Sequence, residues 1–138
     1  MIQNVLVVQH DHAVFAEAVD ALIGDGLAVA SLNTTCLSEF LLRWSGAAFD
    51  GLLLDAALNC GGAADLCAKL RGNGFDGAMV VFGAAPSEDT VVACLDAGAD
   101  DVLDMRLGRR ELVARVRASL PCTATRSAPR PAAMAQAA

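Results

Sequence analysis

A chain of 138 residues with 55% hydrophobic composition can bury one core of ordinary domain size and leaves no room for a second folded module. Residues 1–120 hold all 16 acids and eight of the ten Lys and Arg, a formal charge of −8, which repels nucleic-acid phosphates and argues against DNA or RNA binding by this domain. No run approaches the roughly 18 consecutive apolar residues that cross a bilayer, and MIQNVLVVQH lacks a basic segment ahead of its apolar stretch, so it reads as a first strand, not a signal peptide, of a cytoplasmic protein without membrane contact.

Five apolar strand-like runs then alternate with five helical patterns. Val5–Val8 is followed by an amphipathic stretch over Ala13–Ile23, in which Val14, Ala18, Ala21 and Leu22 share one face. A short second strand over Leu27–Ser31 precedes a helix over Cys36–Trp44, where Leu37, Phe40, Leu41 and Trp44 recur at helical spacing until Gly46 stops it. Gly51–Leu54 is a wholly apolar third strand that ends at Asp55, and Ala63–Leu70 is the next helix. Met79–Phe82 forms the fourth strand. Ser87 caps a helix with Glu88 and Asp89 in its first turn, and Gly98 closes it after Ala97. Val102-Leu103 is a minimal fifth strand, and Arg109–Leu120 is the last helix, with Leu112, Val113 and Val116 facing inward.

Strands apolar on both faces and alternating with helices imply a doubly wound, five-stranded parallel sheet covered on two sides, a three-layer α/β sandwich. Residues 1–120 make up that domain. From Pro121 to Ala138 the chain is mostly Ala, Pro, Ser, Thr and Arg with Met134 the one large apolar side chain, so it is expected to be a disordered tail or a linker. The cysteines Cys36, Cys60, Cys67, Cys94 and Cys122 are odd in number and form no CxxC pair, which favours buried thiols over a disulfide framework or a zinc site.

In doubly wound sheets, function gathers at the carboxyl ends of the strands. The residues there are Gln9, His10 and Asp11, then Asp55, then Gly83 and Ala84, then Asp104, Met105 and Arg106. The segments VLVVQHD, FDGLLLDAAL, DLCAKLR, AGADDVL and RRELVARVRASL, in that order and covering about residues 4–120, resemble the receiver domain of response regulators, most of all receivers that precede a winged-helix DNA-binding domain. The resemblance implies the flavodoxin-like (βα)5 form of the sandwich and a role in two-component signalling upstream of transcription. In an active receiver, two acids after the first strand and the aspartate after the third hold Mg²⁺. That aspartate takes a phosphoryl group from a histidine kinase, and a hydroxyl after the fourth strand and a lysine after the fifth bind the phosphoryl oxygens.

Asp55 falls on the acceptor position, but the acid pair is Gln9 and His10, the hydroxyl is Gly83, and the Lys-Pro pair is Met105 and Arg106. Four of five chemical positions therefore depart from the pattern. Mg²⁺ is poorly served by an imidazole or a single amide oxygen, so metal binding is expected to be weak or absent, and no other cofactor is implied. Without metal or lysine, nothing neutralises charge on a transferred phosphoryl group. Lys69, in the third helix, is too remote to help, and Arg106 is a longer, fork-shaped substitute displaced by one residue.

The leading expectation is thus a regulatory module, not an enzyme, which acts through protein contact without phosphorylation. The alternative is a phosphorelay receiver that a kinase phosphorylates on Asp55. The resemblance places the contact face, to a partner or a second copy, on the fourth helix, fifth strand and fifth helix, where Asp100, Asp101, Glu111 and Arg115 match family positions. Ser87–Asp96 has no Lys or Arg to supply the basic residue expected there. A nucleotide-binding reading on the same architecture fails because QHDHAVFAEA has no glycine to cradle phosphate. His10 is either a plain polar strand-end residue or an imidazole near Asp55, whose charge would raise its pKa above about 6.5. His10, Asp11 and His12 are too few for a general metal site, and Cys60 near the pocket is either a spectator or a redox-active thiol.

Overall fold

The computed structural model describes residues 3–9, 12–33, 49–57 and 62–120. Five strands and four helices follow in the order β1 (Asn4–Gln9), α1 (His12–Gly24), β2 (Ala28–Asn33), β3 (Gly51–Asp55), α2 (Gly62–Gly72), β4 (Ala78–Gly83), α3 (Glu88–Asp96), β5 (Asp101–Asp104) and α4 (Arg109–Ser119). The helix expected over Cys36–Trp44 and the tail from Pro121 lie outside the described residues. No helix among the described residues is long and apolar enough to cross a membrane.

All five strands run parallel in the order β2-β1-β3-β4-β5. The order reverses between β1 and β3, which opens a crevice at their carboxyl ends. β3 and β4 are buried at every position, as strands covered on both faces must be. Side-chain alternation divides the core. Leu6, Val8, Leu52, Leu54, Met79 and Val81 point to the α2 and α3 side, against Leu66, Cys67, Leu70 and Cys94. Val5, Val7, Leu53, Val80, Phe82 and Leu103 point to the other, against Ala18 and Leu22 of α1 and Leu112 and Val116 of α4.

Element boundaries differ from the sequence reading by small steps with local causes. Leu27 is buried but precedes β2, because its N–H is bonded to the Leu22 carbonyl at the end of α1 and the ladder begins at Ala28. β5 gains Asp101 and Asp104 at its ends, through parallel pairing with Val80 and Gly83. Ser87 caps α3 as expected, its hydroxyl accepting the Thr90 N–H at 3.1 Å.

One side chain that the sequence reading passed over joins three segments at the amino ends of the strands. Arg71, at the end of α2, donates to the carbonyls of Gly98, Phe75 and Gly77 over 2.7–3.1 Å and pairs with Asp100 at 3.1 Å. Asp100 also accepts the Met79 N–H at 2.8 Å. Gly98 has φ +115°, and a Cβ there would stand 2.8 Å from Arg71 Cγ, so the turn after α3 needs glycine for both its conformation and the arginine's approach.

Candidate functional site at the strand ends

Asp55 closes β3 on the same face as Leu53 and is 7% exposed. Its Oδ1 accepts the Ala57 N–H at 2.8 Å, and Ala56 N–H donates to the Phe82 carbonyl at 2.7 Å, which locks the β3 and β4 ends together. Gln9 closes the neighbouring β1 one step past the Val8–Leu54 pair and is wholly buried. On the far side, Met105 N–H donates to the Gly83 carbonyl at 2.9 Å.

A cleft of about 600 Å³ opens over Asp55, with Ala56, Gly83, Ala85, Pro86 and Met105 among its walls. The sequence-predicted positions Asp55, Gly83, Ala84 and Met105 therefore do converge on one cavity. Gly83 sets its width, since a Cβ there would come within 3.2 Å of Ala56 Cβ and 3.6 Å of Pro86 Cβ. Ser87 and Thr90 stand at its edge, but the Ser87 hydroxyl caps α3 and donates to Thr90 Oγ1 at 3.0 Å, so it does not stand in for a hydroxyl at position 83. Ala85 holds φ +47°, a left-handed backbone that costs a non-glycine residue about 1–2 kcal/mol.

Arg106 does not replace the family's lysine in this cavity. Its guanidinium closes back on Asp104, with Nη2 at 2.7 Å from Oδ2 and Nε at 3.1 Å from Oδ1, and the side chain is 76% exposed. Hydrogen bonding from Arg106, with a further bond from the Ala85 backbone, holds the Asp104 carboxyl well below the usual carboxylate range, and Asp104 in turn raises the guanidinium's pKa. The pair is i, i+2 across a turn, a spacing too generic for the sequence to reveal.

Magnesium requires several hard oxygen ligands in near-octahedral array. Among the described residues no three His, Cys, Asp or Glu converge, and β1 ends in the buried amide of Gln9 where the resemblance leads one to expect an acid. The described residues do not fit a magnesium centre. His10, Asp11 and Cys60 lie outside them, so neither an imidazole beside Asp55 nor a redox thiol enters the described geometry. Cys67 and Cys94 are free and buried. Desolvation pushes the Cys67 thiol up to about 12 and raises Cys94 as well.

Residues 5–117 match the response regulator receiver domain. The chain belongs to that family. Over 128 residues this receiver is 34% identical to the KDP operon transcriptional regulatory protein KdpE of Escherichia coli, covering 93% of this chain and 56% of KdpE. It is 42% identical over 71 residues to the response regulator MprA of Mycobacterium tuberculosis, covering 51% of this chain and 31% of MprA. The receiver thus spans about half the length of KdpE, and the MprA match about a third of MprA. A two-component response regulator from Clostridium difficile shares the fold, with TM-score 0.73 at 21% identity over 84% of this chain and 93% of that one.

Of the four acidic and basic residues singled out for contact, β5 of the receiver carries Asp101 and α4 carries Glu111 and Arg115, while Asp100 lies in the turn before β5. Asp100 turns to Arg71 and the Met79 amide, 28% exposed at its side chain, and anchors the fold. Asp101, also 28% exposed at its side chain, lies 3.5 Å from Arg115, which also meets Glu111 at 3.1 Å, and Arg115 and Glu111 are about half exposed. α3 itself exposes two large apolar side chains, Val92 at 50% and Leu95 at 43%. The sequence reading missed both, although EDTVVACLD has more apolar residues than its one buried position, Cys94, requires.

Proposed function

We propose that this receiver regulates through protein contact without a phosphoryl group on Asp55, as the input module of a cytoplasmic transcription regulator. The observation that carries the reading is the cleft itself. Met105 and Gly83 line it, at the two positions where the receiver resemblance calls for a lysine and a hydroxyl, and the nearby Arg106 is spent on Asp104. Single contacts to a transferring group are typically worth on the order of 3 kcal/mol, so loss of the metal acids, the hydroxyl and the lysine leaves transfer too slow to signal, even discounted for non-additivity. Weak or absent Mg²⁺ binding belongs to the same reading. The contact surface is α3, β5 and α4, where Val92 and Leu95 offer apolar area and Asp101, Glu111 and Arg115 offer charge, to a second copy or a protein partner. The name of KdpE as a transcriptional regulatory protein supports the output.

The test is intact-mass analysis after treatment with acetyl phosphate and Mg²⁺. Little or no adduct on Asp55 is expected. Robust, Mg²⁺-dependent labelling would overturn the reading in favour of the phosphorelay alternative, which the buried Asp55 at the acceptor position favours.

A further inference from the structure

We propose that the groove between the end of α1 and α4 docks a short acidic segment of a partner polypeptide, with Arg109, Arg110 and Arg117 as its counter-charges. The groove lies on a different stripe of α4 from Glu111 and Arg115, so it is a second contact surface, and it requires nothing of the state of Asp55.

Shape, charge and pairing point the same way. The groove holds about 660 Å³ and stays open because Ala21, Gly24 and Ala114 bring little bulk to it; a Cβ at Gly24 would meet nothing within 4 Å. Three arginines and one aspartate, Asp25, line it, a basic stretch in a domain of formal charge −8. Asp25 does not use up that charge. Its carboxylate and carbonyl accept from Nε and Nη2 of Arg117, which leaves Nη1 for a ligand. Arg110 is exposed and pairs with no acid among the described residues, and Arg109 shares a small crevice with Glu17 without an ion pair. Both stand in the first turn of α4, at the positive end of the helix dipole, where a cation costs stability. Guanidinium groups held there without acids are matched to an anion from outside the fold. Arg110 and Arg117 lie about 10 Å apart along the helix, too far for one carboxylate or phosphate and close to the length of four extended residues. Residues 121–138 contain Arg126 and Arg130 and no acid, so the segment that follows α4 does not supply the charge. A nucleic acid would extend past the groove into the surrounding negative field.

Backbone amide NMR of the full chain, titrated at constant low ionic strength with N-acetylated, amidated tetraglutamate, with tetraglutamine and with a short oligothymidylate, tests the assignment. Tetraglutamate should shift the amides of Gly24, Asp25, Arg110, Val113, Ala114 and Arg117 saturably, with a Kd on the order of 1 mM for so small a probe. Added salt should weaken it. Tetraglutamine should bind at least tenfold more weakly. Arg110→Glu should weaken tetraglutamate at least tenfold and Arg109→Gln about threefold, both with the rest of the spectrum unchanged. Arg115→Glu, which alters the net charge as much as Arg110→Glu but lies on the other stripe of α4, should leave the affinity within twofold of the parent. No saturable shift from tetraglutamate, equal binding of tetraglutamine, or equal losses from Arg110→Glu and Arg115→Glu would overturn the proposal. Tighter binding of oligothymidylate at the same amides would assign the groove to nucleic acid and overturn it too. Self-association that Arg110→Glu abolishes, in a protein that does not bind tetraglutamate, would give the groove to a second copy and likewise overturn it.

Discussion

Replacing Arg71 by methionine keeps most of the aliphatic stem and removes the guanidinium that joins α2, the turn after α3 and the start of β4. Five hydrogen bonds go with it, two to the Gly98 carbonyl at 2.9 and 3.1 Å, one each to Phe75 and Gly77 at 3.0 and 2.7 Å, and one to Asp100 at 3.1 Å. A contact 5.7 Å above the Phe75 ring is lost as well. Hydrogen bonds from charged donors are each worth about 1.5–3 kcal/mol. Their sum overstates the cost, because the side chains of Arg71 and Asp100 are 16% and 28% exposed, so water takes over part of the hydrogen bonding, and Asp100 keeps the Met79 amide. A net loss of about 2–4 kcal/mol is expected, at the lower edge of the range for breaking a buried ion pair. Urea unfolding should show a lower midpoint at unchanged slope. Arg71→Lys should recover less than half of the loss, since an ammonium cannot span three carbonyls in two connections as the planar fork does. Hydrogen exchange should quicken first at the amides of Met79 and Asp100. A loss below about 0.5 kcal/mol for Arg71→Met, or full recovery by lysine, would refute the reasoning.

Gly98→Ala should cost on the order of 2–3 kcal/mol in the same urea assay, because it puts a side chain at φ +115° and a Cβ 2.8 Å from Arg71 Cγ. Asp101→Lys and Arg115→Glu should each weaken self-association or partner binding about tenfold in sedimentation, and parent-like behaviour of both would remove the α3, β5 and α4 surface from consideration. The Cys67 thiol, raised to about 12 from an ordinary 9.0, should resist alkylation at pH 8 except at the rate of opening. Its sign follows from linkage. The neutral thiol is harmless below pH about 9, and between about 9 and 12 the unfolded chain ionises first, so stability falls as pH rises. Cys67→Ser should flatten that alkaline fall. Installing a receiver's chemistry with Gln9→Asp, His10→Asp, Gly83→Thr and Met105→Lys should restore some Mg²⁺-dependent labelling of Asp55 by mass spectrometry. Adding Ala56→Gly should raise the yield by relieving the 3.2 Å approach to a Cβ at position 83.

Strands and helices were legible because their signals are local. The run Leu52-Leu53-Leu54 has no polar face to leave in water, Ser87 precedes two acids at a helix start, and Gly98 sits where a helix must turn left-handed. The parallel sheet follows from that alternation, and with it the gathering of Asp55, Gly83 and Met105 at one end, so the parts of the candidate site were readable from position alone. Side-chain pairing was not. Asp100 and Asp101 are adjacent, chemically identical and equally exposed at their side chains, yet packing pairs the first with Arg71, 29 residues away, and the second with Arg115. Arg106 read as a displaced cation for the phosphoryl site, and the turn after β5 folds it onto Asp104 instead. The width of the cleft likewise depends on where Ala56 and Pro86 come to rest around a missing Cβ. Periodicity records which face of an element is apolar. Which charge meets which, and how much space is left between them, depends on distances between segments that only the packed sheet and helices establish.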